Sequence, residues 1–202
     1  MSAKKVRFIQ EMEIRLVTKK AAILHGTDST PSDNWFPWLK QELEDDRYEV
    51  WVPELPGNHI PDKKVYGDFL FGSDWDFANS IVIGHSSGAV EVLNMLMDDR
   101  CPNIDTAVIV SGWEHGTPTG MDAYQFENLF PENGFDFEKI KQKVKRIEFI
   151  HADDDPYCTM EQAKHMASEL DARLTVIEGG GHLGENYIEF PQLLRLTTEG
   201  ER

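Results

Sequence analysis

Short apolar runs rich in β-branched residues alternate along the chain with longer segments whose apolar residues recur at helical spacing. The runs predict strands at residues 21–24, 48–52, 80–83, 106–110, 147–150 and 173–177. The segments between and after them predict helices at residues 35–44, 65–72, 87–98, 137–144, 159–170 and 188–196. Because strands that alternate with helices form βαβ units, the pattern predicts an α/β fold in three layers: a mostly parallel central sheet with helices on both faces.

Two segments fall outside this alternation. Residues 112–136 show no regular periodicity, and they are long enough for a lid but too short for a large cap domain. Residues 1–20 are polar and mixed in charge, and the loose alternation over residues 6–17 favours an added edge strand. We therefore expect an N-terminal extension over residues 1–20 and a single domain over residues 21–202.

The pentapeptide Gly84-His85-Ser86-Ser87-Gly88 lies between a predicted strand and a predicted helix. A G-x-S-x-G sequence in that position is typical of a nucleophile elbow, a turn so tight that the serine takes a strained backbone conformation. Glycine at both ends removes side chains that would collide there. The motif predicts that the Ser86 hydroxyl projects above the sheet edge as a nucleophile, with the amide of Ser87 aimed at the same point.

A nucleophilic serine needs a base, and the later part of the chain offers one. Three consecutive aspartates, at positions 153–155, directly follow a predicted strand, and His182 follows a later strand and three glycines. This order fits a triad of nucleophile, acid and base at the ends of parallel strands. We choose Asp155 as the acid because Pro156 fixes the chain just beyond it, and we interpret the other two aspartates as a solvated turn.

Four segments of the sequence resemble those of a known family: residues 35–43 (WFPWLKQEL), 84–89 (GHSSGA), 154–157 (DDPY) and 181–182 (GH). Over about residues 21–195 the chain resembles α/β-hydrolases, and more narrowly the small serine hydrolases related to retinoblastoma-binding protein 9 and their bacterial relatives. The resemblance implies that Ser86 is the nucleophile, Asp155 the acid and His182 the base, in agreement with the assignment from context.

An oxyanion hole needs a second backbone donor, which such folds place after the first core strand. His25-Gly26-Thr27-Asp28 occupies that position, so we expect the amides of Thr27 and Ser87 to form the hole. His25 is expected to orient the loop rather than act as a base. The side chain of Asp28 is expected to point away from the hole and to cap the turn at residues 29–32.

The clue to the substrate is an aromatic segment after the fourth predicted strand. Trp113 begins it, and five more aromatic or leucine side chains follow before residue 136. Together with His25 and Trp35, Trp113 is a candidate for the wall of a substrate pocket. The alternative is that these aromatic side chains seal the core, which we favour for most of them.

Composition excludes several classes of partner and cofactor. The net charge of −16 and the pI near 4.7 argue against nucleic acid or an anionic membrane as the main partner, and they mildly disfavour anionic substrates. The two cysteines, Cys101 and Cys158, are expected to be free thiols in a reducing compartment. No metal-ligand spacing occurs, so no metal or other cofactor is implied. Neither a signal peptide nor a membrane-spanning run is apparent, which predicts a cytoplasmic protein.

These observations predict a serine hydrolase that cleaves small carboxylic esters, an enzyme of the carboxylesterase kind, through a Ser-His-Asp acyl-enzyme mechanism. A peptidase or thioesterase could use the same triad. From a different class, the chain could be a protein-interaction module on a hydrolase fold, although its protein partners cannot be read from the sequence. A complete triad favours the enzyme, because a site that had lost its activity would be expected to lose members of the triad.

Overall fold

A computed structural model of the chain describes residues 19–199. The strands are β1 Lys19–Leu24, β2 Tyr48–Trp51, β3 Ile81–His85, β4 Ile104–Val110, β5 Val144–Ala152 and β6 Arg173–Ile177. The helices are α1 Phe36–Asp45, α2 Lys63–Gly72, α3 Ser87–Met97, α4 Phe137–Lys143, α5 Met160–Glu169 and α6 Pro191–Thr198, with a short 3-10 helix at Ala123–Phe126. The edge strand predicted over residues 6–17 lies outside the described residues.

The six strands form one parallel sheet in the order β2-β1-β3-β4-β5-β6. The chain first adds β2 on one side of β1 and then returns to add β3 on the other side. The order of strands therefore reverses between β1 and β3, and in open parallel sheets the crevice beyond such a reversal is where ligands bind. The turns that follow β1, β3, β5 and β6 all open at this carboxyl edge.

Apolar side chains cover both faces of the sheet. Ala22 and Leu24 of β1 face a core layer formed with α2, α3, α4 and α5, whereas Ala21 and Ile23 face a second layer formed with α1 and α6. The interior strands are mostly apolar where both of their faces are buried, as expected for a parallel sheet. This arrangement confirms the predicted three-layer α/β fold.

The strands and helices predicted within residues 19–199 all occur, with shifted ends. β5 extends over residues 144–152 rather than 147–150, because its charged amino end continues the ladder with β4, where Val144 pairs with Ile104. Helix α6 begins at Pro191 rather than at residue 188, since proline has no amide hydrogen to donate and favours the first helical turn. No helix within residues 19–199 has the length and apolarity needed to cross a bilayer.

Residues 112–136 are tied to the body of the domain at several points. The amide of Thr119 donates to the carbonyl of Tyr157 at 3.2 Å, and the side chain of Gln125 donates to the carbonyl of His59 at 3.1 Å. Trp113 is 2% exposed and packs edge-on against the ring of Phe126. The segment therefore forms a packed flank beside the carboxyl edge of the sheet.

Glu91 is an acidic residue on the inner side of α3, only 1% exposed, and it accepts a hydrogen bond of 3.3 Å from Asn94 Nδ2. Burial raises the pKa of Glu91 well above its usual range. The folded protein thus keeps a proton that the unfolded chain releases once the pH exceeds about 4.5. The stability contribution of this group is complete below that pH, and it is lost as the pH rises towards the pKa of the folded state.

We expect Glu91→Gln to raise the Tm by on the order of a few degrees at pH 8 and by less at pH 5. Glutamine keeps the shape and the hydrogen-bonding oxygen but has no proton to lose. Thermal unfolding of both proteins from pH 5 to pH 8, followed by circular dichroism, measures the difference. A Tm difference that does not change with pH would show that Glu91 is not held in its neutral form.

Candidate active site

The turn between β3 and α3 has the geometry of a nucleophile elbow, as predicted. Ser86 adopts φ 56° and ψ −125°, which is strained for any residue other than glycine, and its amide donates to the carbonyl of Val110 at 3.0 Å. A Cβ atom on Gly84 would lie 2.3 Å from the carbonyl oxygen of Gly88, and one on Gly88 would lie 2.3 Å from that of Leu24. Glycine is therefore required at both ends of the motif.

Ser86, His182 and Asp155 lie in one line of hydrogen bonds. Ser86 Oγ is 2.9 Å from His182 Nε2, and His182 Nδ1 is 2.8 Å from Asp155 Oδ2 and 3.1 Å from Oδ1. The carboxyl group of Asp155 is 1% exposed and also accepts hydrogen bonds from the amides of Tyr157 and Cys158, at 2.9 and 3.0 Å. Burial alone would raise the pKa of Asp155, but these hydrogen bonds and the nearby imidazole outweigh it, so the net pKa is lowered.

The other two aspartates of the run hold the loop that carries His182. Asp153 Oδ1 accepts a hydrogen bond from the amide of Gly179 at 2.9 Å, and Asp154 Oδ1 accepts one from the amide of Gly181 at 2.8 Å. Both residues lie exposed in a turn, as predicted, but their carboxylates also hold the loop that carries His182, which was not predicted. All three carboxylates of the run bind the segment from residue 179 to residue 182.

His85 and Trp35 hold the same loop from the other side. His85 Nε2 donates to the carbonyl of His182 at 2.8 Å, and Trp35 Nε1 donates to the carbonyl of Leu183 at 2.8 Å. Because a carbonyl only accepts, the proton of the His85 ring resides on Nε2. Burial, with the nearby His182 ring as a smaller cause, lowers the pKa of His85 to about 3, so the ring remains a neutral donor at ordinary pH. The G-x-S-x-G pattern places no requirement on the residue at this position, so the role of His85 could not be predicted from the sequence.

The two residues expected to form the oxyanion hole lie side by side. Thr27 follows β1, Ser87 begins α3, and the Thr27 hydroxyl donates to the Ser87 hydroxyl at 3.0 Å. Behind them the fully buried ring of His25 donates through Nδ1 to the carbonyl of Gly26 at 3.0 Å and accepts through Nε2 from the amide of Leu55 at 2.9 Å. His25 therefore ties the loop to a neighbouring segment, which is the supporting role expected from the sequence.

A cleft of about 720 Å³ opens above Ser86 and His182. His25, Trp35 and Trp113, the three candidates for the substrate pocket, do not line it, because each is at most 2% exposed and lies behind the surface. The cleft is lined instead by residues from the loops after β1, β5 and β6 and from the segment 112–136, among them Met121, Phe126 and Tyr157. The sequence thus indicated the right loops, but it did not indicate which side chains turn outward.

Asp28 lies at the cleft, and its role differs from the one expected. Its Oδ1 atom is 2.9 Å from Nδ1 of His59. The turn after it is capped by Asp33, which accepts hydrogen bonds from the amide of Thr30 at 2.7 Å and from the hydroxyl of Ser29 at 3.3 Å. The prediction that Asp28 caps this turn is therefore wrong, because Asp33 caps it.

Within residues 19–199, one group of three side chains could offer a metal ion ligands lying within 4.8 Å of one another: Asp155, Cys158 and His182. Asp155 and His182 are already hydrogen-bonded to each other. Cys158 and Cys101 are buried free thiols, and burial raises the pKa of both. The group therefore coincides with the Ser86–His182–Asp155 line and is not a separate site.

The parallel six-stranded sheet, the elbow after β3 and the cleft at its carboxyl edge define an α/β-hydrolase. The sequence profile of the serine hydrolase family matches residues 21–198, and the chain belongs to that family. It is 27% identical to YdeN of Bacillus subtilis (strain 168) over 172 residues, which are 84% of this chain and 88% of YdeN. It is 23% identical to the serine hydrolase RBBP9 of Rattus norvegicus over 180 residues, which are 88% of this chain and 92% of RBBP9.

Solved structures show the same fold. The crystal structure of the ydeN gene product superposes with a TM-score of 0.77 at 25% identity, covering 90% of this chain and 97% of that chain. Est1E from Butyrivibrio proteoclasticus, solved with bound ferulic acid, superposes with a TM-score of 0.68 at 12% identity, covering 90% of this chain and 87% of Est1E. The likeness to Est1E concerns the fold alone.

Proposed function

We propose that this serine hydrolase cleaves small carboxylic esters through an acyl-enzyme formed on Ser86. The observation that carries the proposal is the unbroken line of hydrogen bonds from Ser86 Oγ through the His182 ring to the Asp155 carboxylate. A serine hydroxyl is a weak nucleophile unless a base removes its proton, and here the base lies within hydrogen-bond distance and is itself oriented by a buried carboxylate.

In the first half of the reaction, Ser86 Oγ attacks the ester carbonyl carbon while His182 Nε2 takes the hydroxyl proton. The negative charge that develops on the carbonyl oxygen is stabilised by the amides of Thr27 and Ser87. The tetrahedral intermediate collapses when the bond to the alcohol oxygen breaks and His182 returns the proton to that oxygen. Asp155 stabilises the imidazolium that exists between these two transfers.

In the second half, water attacks the acyl group on Ser86 and gives a proton to His182. The intermediate then releases the carboxylic acid, and the proton passes from His182 back to Ser86 Oγ. His85, Trp35 and Asp154 do not contact the reacting atoms in this scheme. They position His182 by holding the backbone on both sides of it.

The test is turnover of three compounds that share one butyryl group: p-nitrophenyl butyrate, S-phenyl thiobutyrate and p-nitrobutyranilide. We expect kcat/KM to be highest for the ester and at least about a hundredfold lower for the anilide, whose amide resonance and poor leaving group raise the barrier by several kcal/mol. Ser86→Ala is the background control. Faster cleavage of the thioester or the anilide would indicate a thioesterase or a peptidase, and no turnover of any of the three would favour an interaction module.

A further inference from the structure

The cleft above Ser86 has two chemically different walls. One is formed by Pro118, Met121, Phe126, Pro156 and Tyr157, and it is continuous because the amide of Thr119 bonds the carbonyl of Tyr157. The other is formed by the loop after β1 and by residues 184–186, and it carries three carboxylates: Asp28, Asp33 and Glu185. No lysine or arginine lines the cleft among the residues that the structure describes.

The three carboxylates of this wall are exposed to water. The amide of Thr30 donates a hydrogen bond to Asp33 and thereby lowers the pKa of that carboxyl group, and Glu185 is exposed to water. Carboxylates that line a concave site attract cations and repel anions, because low-dielectric walls focus the field into the opening. A neutral substrate would gain nothing from this arrangement.

Basic residues collect at the opposite edge of the sheet. A groove at the amino ends of β5 and β6 is lined by Lys141, Lys145, Arg146 and Arg173. These cations are paired with nearby carboxylates, so the groove itself is an ion-pair network rather than an anion site. The preference for a cation at the cleft therefore has to come from the carboxylates of the cleft itself.

The chemistry of Ser86 and His182 orients the substrate between the two walls. His182 Nε2 delivers its proton to the leaving oxygen, so the alcohol half of an ester lies beside His182. Residues 184–186 begin two positions after His182 in the chain, and on the opposite side the ring centroid of Tyr157 lies 5.0 Å from that of His182. The alcohol half therefore lies between Glu185 of the carboxylate wall and the ring of Tyr157, which leaves the part of the other wall around Met121 and Phe126 for the acyl half.

We propose that the preferred substrates are esters of a cationic alcohol, one bearing an ammonium group within a few bonds of the ester oxygen, with an apolar acyl group. The proposal rests on the hydrolase function proposed above. It adds a charge preference that the arrangement of Ser86, His182 and Asp155 does not itself require.

The test compares two esters that differ by one atom: butyrylcholine and 3,3-dimethylbutyl butyrate, in which carbon replaces the quaternary nitrogen. We expect kcat/KM to favour the cationic ester by about tenfold or more at low ionic strength, after division by the ratio of their hydroxide-catalysed rates. Raising the salt concentration to 1 M shortens the Debye length to about 3 Å, so the preference should shrink towards the intrinsic ratio.

Two double variants locate the origin of the preference. Asp28→Asn with Glu185→Gln removes two charges from the carboxylate wall and should lower the ratio of the two kcat/KM values by about fivefold. Asp46→Asn with Glu169→Gln removes two exposed charges at the opposite edge of the sheet and should leave the ratio unchanged. Both variants carry the same net charge, so a general field effect would alter them equally.

Each outcome decides between the two proposals. Equal cleavage of both esters in a Ser86-dependent reaction would overturn the charge preference and leave the hydrolase function standing. An equal loss of preference in both double variants would also overturn it, because the carboxylate wall would then have no special role. If the wild-type protein cleaves neither ester and fails to cleave p-nitrophenyl butyrate, the hydrolase function itself is contradicted, and the charge preference falls with it.

Discussion

Ser86→Ala is expected to lower ester turnover by on the order of 10⁵-fold or more, because no other group stands where the nucleophile must attack. The matched control is Ser87→Ala, which removes a hydroxyl bonded to Thr27 but keeps the backbone amide aimed at the oxyanion. We expect Ser87→Ala to retain turnover within about tenfold of wild type, since only an indirect contact is lost.

Steady-state rates on p-nitrophenyl butyrate measure both variants, and circular dichroism establishes that each is folded. Comparable losses in Ser86→Ala and Ser87→Ala would contradict the assignment of the nucleophile. Alanine at position 86 keeps the backbone conformation of the elbow but loses the hydrogen bond between Ser86 Oγ and His182 Nε2. A lower Tm for Ser86→Ala would therefore not contradict the assignment of the nucleophile, provided that the protein is folded at the assay temperature.

The second large effect is expected for Asp155→Asn, with a loss of about 10³ to 10⁴-fold in kcat. An asparagine side chain can donate its amide hydrogen to His182 Nδ1, which leaves the proton on Nε2, the nitrogen that must accept from Ser86. Asp153→Asn is the control, because its side-chain oxygen still accepts from the amide of Gly179. We expect Asp153→Asn to stay within a few-fold of wild type.

Asp154→Asn tests whether the acid of the triad is Asp155 or the neighbouring Asp154. Its side-chain oxygen also remains available to the amide of Gly181, so the change should be small. If Asp154→Asn removed activity while Asp155→Asn did not, the acid would be Asp154, and the line of hydrogen bonds in the structure would not be the one that operates in catalysis.

The fold could be predicted from the sequence because its strands, helices and elbow each leave a signal within one short segment. Buried parallel strands appear as continuous apolar runs, and the elbow appears as two glycines around a serine between a strand and a helix. The ends of β5 and α6 were predicted less accurately than the elements themselves. The charged amino end of β5 is held by pairing with β4, and such pairing leaves no signal within the segment itself.

Parts of the site that depend on contacts between distant segments were missed. Asp153 and Asp154 bind amides 26 and 27 positions further along the chain, and His85 binds a carbonyl 97 positions away. The pocket residues were missed for a related reason. Trp35 and Trp113 lie on the right segments, but the packing of each segment decides which side chains turn inward.

The most direct test of the central claim is labelling with a fluorophosphonate, which reacts only with a serine activated by its surroundings. We expect one adduct per chain, located by mass spectrometry on the peptide that contains Ser86, and labelling slowed by at least about a hundredfold in His182→Ala. An adduct on another residue, no adduct at all, or labelling of Ser86 at the same rate without His182 would contradict it.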